Sequence, residues 1–297
     1  MIRRGFAKLA AAAAAALLAA PLLTTSCSLT KLAYSNAPFA YSNAMPMLAW
    51  IAGDYVDLSG EQKDSLRRRL KKAFAWHRAQ ELPEYRRFLE SVAEKCAGPV
   101  SADDVRTADA DLRIYYRRTV ERVIPDIADL LLKLDADQVW QLERKFAADN
   151  DKLVRESSKD SAGDRRELRA TRFIGHFEEF TGRLSSSQRD LVREHFAGGE
   201  DLAGERLADR HYWQAETLAM LRAKVSREEM IEGLKRLLLD TERWRSPAYQ
   251  AKLRERDERT FELIASLVTT LTPEQRASLL DRLHGFIRDI AELTASS

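Results

Sequence analysis

His77 and Glu81 stand four residues apart in the segment Ala75-Trp76-His77-Arg78-Ala79-Gln80-Glu81-Leu82-Pro83-Glu84-Tyr85. On a regular helix that spacing places both side chains on one face, a turn apart. An imidazole beside a carboxylate can move protons, provided the pair lines a cavity that a substrate can enter. The same two residues are also part of a zinc ligand set, which needs at least three protein ligands. His176, His195, His211 and His284 have no spacing that completes one, so no metal and no cofactor is expected. His77 continues the apolar stripe of Leu66, Leu70 and Phe74. That position favours a packed histidine, hydrogen-bonded to Glu81 or to a backbone carbonyl, over a catalytic one. Trp76 and Tyr85 are expected to pack where Pro83 turns the chain. Trp76, His77, Arg78, Glu81 and Tyr85 together form the candidate interaction groove. No P-loop, G-x-G-x-x-G, G-x-S-x-G or H-E-x-x-H motif occurs anywhere, and no enzyme activity is expected.

Cys27 offers different chemistry. Arg3, Arg4 and Lys8 form a basic head, Leu9 to Leu23 is an Ala/Leu run, and Leu23-Thr24-Thr25-Ser26-Cys27 follows. This order is that of a secretory signal, with small residues before the cut. The apolar run is too short for the roughly 20 residues of a spanning helix. A cysteine at the cut resembles the lipobox of bacterial lipoproteins. The resemblance implies cleavage before Cys27 and lipidation of its thiol and new amino group. Ser28, in place of an aspartate that would retain the protein in the inner membrane, implies the outer membrane. Cys96 is then the one remaining cysteine and is expected to be an unpaired thiol near a helix end.

The formal charge of the 297 residues is +2, but from Cys27 onward there are 45 Lys and Arg against 46 Asp and Glu. That balance excludes the basic excess of a nucleic-acid binder. With 32% of residues charged, the pattern is that of solvated helix faces carrying i,i+4 pairs. The basic runs Arg67-Arg68-Arg69 and Lys71-Lys72 fit such a face, or a contact with anionic lipid headgroups.

The elements that position these residues are helices. Two-residue alternation is absent and Gly and Pro are few, so no sheet is expected. Capping-box signatures open helices at Ser59–Gln62, Ser101–Asp104, Asp135–Gln138, Ser185–Gln188, Ser226–Glu229 and Thr272–Gln275, each preceded by Leu or Val. The pattern predicts an all-α, mostly antiparallel array of about ten helices. Leu58-Ser59-Gly60-Glu61-Gln62 is similar to Leu184-Ser185-Ser186-Ser187-Gln188, and Leu134-Asp135-Ala136-Asp137-Gln138 to Leu271-Thr272-Pro273-Glu274-Gln275. These echoes suggest two related halves, 47–160 and 161–297, behind a signal peptide (1–26) and a lipidated tether (27–46). The stripe from Leu112 to Leu134 runs across Pro125, which predicts a kinked, unbroken helix. The last two segments, on either side of Thr272-Pro273, are expected to form an antiparallel hairpin.

Asp54-Tyr55-Val56-Asp57-Leu58, Glu61-Gln62 and the Trp76-His77-Arg78 to Tyr85 stretch resemble an uncharacterised family of all-helical proteobacterial lipoproteins. The resemblance implies an envelope lipoprotein of helical fold and carries no assigned activity. The expected function is a lipid-anchored, periplasm-facing interaction or scaffold module. Its partners would be the membrane, through lipid on Cys27, and another envelope protein. The Leu-Thr-x-x-Gln segment at Leu271–Gln275, with degenerate copies at Leu58, Leu134 and Leu184, is similar to the signature of small periplasmic helical chaperones. That similarity implies a second reading, a chaperone or envelope-stress sensor.

Overall fold

The computed structural model describes residues 37–158 and 161–295. Cys27 and the signal-like segment lie outside the described residues. Among the described residues the regular structure is entirely helical. The helices are α1 (Ala37–Tyr55), α2 (Gly60–Trp76), α3 (Leu82–Cys96), α4 (Ala102–Leu131), α5 (Ala136–Ser158), α6 (Ala162–Thr181), α7 (Ser186–Ala197), α8 (Ala203–Ala223), α9 (Arg227–Leu238), α10 (Pro247–Thr269) and α11 (Pro273–Ala295). A π-helical segment, His77–Glu81, joins α2 to α3 without a break, and a 3-10 turn, Thr241–Arg243, precedes α10. The all-α array expected from the sequence is therefore what the chain forms. α1 begins within the stretch expected to be a tether.

The helix starts follow local chemistry. Ser59, Ser185 and Ser226 each accept a hydrogen bond from the backbone N–H three residues on, and Gln62, Gln188 and Glu229 reach back to the cap. Ser101–Asp104, Asp135–Gln138 and Thr272–Gln275 make the same pair of bonds. Each such cap contributes about 1 kcal/mol by satisfying amides the helix leaves orphaned. A further box, Ser161–Asp164, opens α6 at the expected start of the second half. Gly182 ends that helix at φ 72°, a conformation that only glycine adopts without strain.

Two prolines behave differently from a simple break. α4 runs through Pro125 unbroken, as expected. Pro83, expected to turn the chain, instead sits inside a continuous helical run. A proline has no N–H to donate, and its ring clashes with the carbonyl four residues back. Here that is Ala79, and the backbone widens to a π-helix over His77–Glu81 immediately before it. The wider turn relieves the clash while keeping the helix axis going.

The chain divides into two compact units, each discontinuous. The first holds the described residues up to Glu81 together with Arg113–Leu153 and Glu205–Arg245. Its core joins Tyr55, Ile124, Leu142, Phe146, Met230 and Leu234, all at most 4% exposed. A second cluster, Leu48, Ala52, Leu66 and Leu70, packs α1 on α2. The second unit holds Leu82–Leu112, Val154–Gly204 and Ser246–Ser297, with Phe88, Ile174, Phe177, Val192, Leu267 and Leu279 buried. Within it α11 packs along α3 and on α6, while α10 packs on α7. The main neighbour of the last helix is thus α3, and the expected C-terminal hairpin is not its principal packing. Arg276 fixes that arrangement by donating to the carbonyls of Cys96 (2.6 Å), Gly98 (2.9 Å) and Val268 (2.9 Å). Those groups include carbonyls that the end of α3 leaves unpaired.

Each unit contains one glutamine clasp. In the first, Gln62 Nε2 donates to Gln138 Oε1 (2.9 Å) and to the Lys133 carbonyl (2.9 Å). Gln138 Nε2 returns a bond to Gln62 Oε1 (2.7 Å) and one to the Asp57 carbonyl (2.8 Å). In the second, Gln188 and Gln275 pair at 3.0 Å both ways and donate to the carbonyls of Thr270 (2.9 Å) and Arg183 (2.8 Å). Every amide proton and lone pair of the four side chains is used.

Candidate functional site

Trp76 and Glu81 lie along a seam with α4 in the first unit, whereas Tyr85, on α3, belongs to the second. Arg69 bonds Asp126 and lies 3.1 Å from Asp129. One turn further along α2, Ala73 packs against Val123 and Ile127. Next, the Arg122 guanidinium lies over the Trp76 ring, 5.6 Å from its centroid. The seam ends at Glu81, where Arg118 Nη2 donates to Oε2 at 2.8 Å and Nε lies 2.7 Å from Oε1. The two helices thus run antiparallel, with an arginine–carboxylate fork closing one end.

The π-turn decides what His77 and Glu81 can do. Glu81 is 1% exposed and His77 2%. The carboxylate is held by Arg118, in the two-point geometry that suits a guanidinium. Burial alone drives the His77 imidazole down to about 4, so it is neutral at pH 7. The packed histidine expected from the sequence is observed, and the Glu81 carboxylate is taken by Arg118. Tyr85 is also buried. Of the five residues proposed as a groove, only Trp76 and Arg78 reach the surface, each half-buried.

Sequence reasoning missed a second polar cluster, at the other side of the same unit. The Tyr55 hydroxyl donates to Asp149 at 3.0 Å, and Lys145 bridges Asp54 (2.8 Å) and Asp149 (3.6 Å). Arg210 donates to Asn150, which donates in turn to Gln214 at 2.8 Å. Burial and the adjacent Asp149 carboxylate push the Tyr55 phenol well above its ordinary range. Burial lowers the Arg210 guanidinium from its usual value. Tyr55, Arg210 and Gln214 are the buried end of the group, while Asp54 lies at the surface. The group's role is to brace α1, α5 and α8. The only sequence signal was Asp54-Tyr55, which carries part of the family resemblance but was given no role there.

Between α2, α4, α5 and α8 lies an apolar slot of about 90 Å³. Native cores leave few voids of that size, and at ~24 cal/mol per Å³ it costs about 2 kcal/mol of stability. Outside it, Ser65, Arg68, Arg69, Lys72, Asp126 and Lys133 line an open cleft of about 310 Å³. Arg69 and Asp126 border both. Among the described residues no cluster of three or more His, Cys, Asp and Glu could hold a metal ion. Nor is any described helix long and apolar enough to cross a membrane.

Fold and site together define an all-α, multi-helix protein with a slot and a basic cleft. The chain belongs to DUF6279, a family of unknown function, whose model matches residues 54–250. That match begins at the Asp54-Tyr55 brace and includes the π-turn, the first glutamine clasp and the slot. No curated protein and no solved structure matches the chain.

Proposed function

We propose that the protein is a lipid-anchored component of the bacterial cell envelope, attached through Cys27 to the outer membrane and facing the periplasm, where its helices form a docking module for another envelope protein. The basic head, apolar run and Cys27 support the anchor. The observation that carries the docking role is the pair of exposed tryptophans in the first unit. Trp50 is 71% exposed and Trp140 55%. Arg144 lies over the Trp140 ring at 4.6 Å, giving a rigid aromatic–cation surface of the kind enriched at interface hot spots. Photo-crosslinking in cells with the probe at Trp140 and a control at the exposed Glu255 tests the docking role. One discrete adduct from Trp140 alone supports it, and identical patterns from both positions contradict it.

A second reading, a periplasmic chaperone or stress sensor, is favoured by one specific observation. The four Leu-x-x-x-Gln segments beginning at Leu58, Leu134, Leu184 and Leu271 meet pairwise in the two clasps. The clasps give the repeated motif a structural role and leave client binding to be measured. Suppression of the aggregation of an unfolded protein at stoichiometric amounts tests this reading.

A further inference from the structure

The slot and the cleft share two residues and have opposite chemistry. Leu66, Leu70 and Ala73 from α2 face Val123 and Ile127 from α4, and Phe146 and Trp213 complete the wall. The one hydroxyl on that wall, from Thr217, donates to the Trp213 carbonyl at 2.7 Å. The polar groups of the slot are thus confined to that engaged hydroxyl and to Arg69 and Asp126, which it shares with the cleft, and a cavity with otherwise apolar walls takes apolar groups. The cleft outside is cationic. Arg69 is neutralised by Asp126 and Asp129, and Asp129 is also taken by Arg227 at 2.6 Å. No ion pair joins Arg68, Lys72 or Lys133 to a carboxylate among the described residues. Three uncompensated cations round an opening favour an anion there.

We propose that slot and cleft are one binding site for an anionic amphiphile, whose first few alkyl carbons enter the slot while its carboxylate or phosphate head meets Arg68, Lys72 and Lys133. The head would share Arg69 with Asp126, so the Arg69–Asp126 ion pair loosens as ligand binds. The head chemistry is common to a membrane lipid and to a free alkyl acid. The site does not depend on the docking role proposed above and would remain if that role failed.

The test uses the full chain and three probes in equilibrium dialysis: octyl phosphate, octanol and inorganic phosphate. The expected result is saturable one-to-one binding of octyl phosphate, at least tenfold tighter than either of the others. Ala73→Met, which fills the slot, and the triple variant Arg68→Glu, Lys72→Glu, Lys133→Glu should each weaken it tenfold or more. The triple substitution is confined to exposed positions and should leave thermal unfolding unchanged, so it remains informative if Ala73→Met fails to fold. Sedimentation of the Cys27→Ser chain, which carries no lipid of its own, with anionic vesicles, lost when the triple substitution is added, would assign the head to a membrane lipid. Octyl phosphate binding without vesicle binding would assign it to a free amphiphile. Octyl phosphate bound no more tightly than inorganic phosphate, or bound equally by the triple variant, overturns the proposal.

Discussion

Gln62 and Gln138, 76 residues apart in sequence, form a closed amide pair in which each side chain also caps its own helix. Gln62 Oε1 accepts from Ser59 N at 2.8 Å and Gln138 Oε1 from Asp135 N at 3.1 Å. The pair explains why glutamine stands at these two helix starts where glutamate or aspartate would cap equally well. Ser101–Asp104 and Ser226–Glu229 are capped by carboxylates, which have no proton to give a partner. Gln188 and Gln275 repeat the design in the second unit.

The clasp should therefore be intolerant of an isosteric charge. Gln62→Glu keeps the cap but sets a carboxylate against the Lys133 carbonyl and removes a donor to Gln138. A loss of about 2–3 kcal/mol is expected from the unsatisfied partners. Gln62→Ala and Gln138→Ala should show a coupling of about 1 kcal/mol or more in a double-variant cycle. Urea unfolding measures both, and strictly additive effects would contradict the clasp.

The Glu81–Arg118 fork makes an asymmetric prediction. Arg118→Met leaves a buried carboxylate without its charge partner and should cost about 3 kcal/mol at neutral pH. Glu81→Gln removes the buried charge and should cost about 1 kcal/mol. The double variant should be more stable than Arg118→Met alone. Chemical denaturation of the three variants decides it.

His77 predicts a stability loss on the acid side. Its folded value of about 4 lies below the ordinary 6.5, so the unfolded chain binds the proton first. The stabilisation is complete above about pH 6.5 and drains away as pH falls towards 4. About 3 kcal/mol is the full range for a shift of this size. His195, also lowered to about 4 by burial and then by Arg259, loses stability in the same window. His77→Leu should flatten a large part of the fall in melting temperature between pH 7 and pH 4.5, and an unchanged slope would contradict the burial argument.

Gly182 should be costly to replace. Its φ of 72° lies in the left-handed region, and an alanine there is expected to destabilise by about 1 kcal/mol. By contrast Gly175, with open space where its Cβ would go and an ordinary helical setting, should accept alanine with a small gain. Melting temperatures of the two variants provide the comparison.

How far the sequence revealed this protein depends on the range of each interaction. Ser59 and Gln62, or Ser226 and Glu229, are three residues apart, so their chemistry can be read directly. The helices and their starts followed. Leu66, Leu70 and His77 are on the buried face expected of them. What local pattern could not reveal was pairing at a distance. Nothing near Gln62 says that Gln138 will meet it, and nothing near Cys96 says that Arg276 will close its helix. The π-turn was hidden for another reason. Pro83 reads equally as a turn or as a strained helix, and packing of His77 and Glu81 in the interior settles which. The Tyr55 brace has no spacing rule, because its members come from three helices.

The proposal that the helical module hangs from lipid on Cys27 is the one on which its place in the cell depends. Intact mass analysis of the protein isolated from cell envelopes tests it most directly. The account predicts a chain that begins at Cys27 and carries added acyl and glyceryl mass, with both features lost in Cys27→Ser. A mature chain that retains Met1, or one that starts elsewhere and carries no lipid, would contradict it.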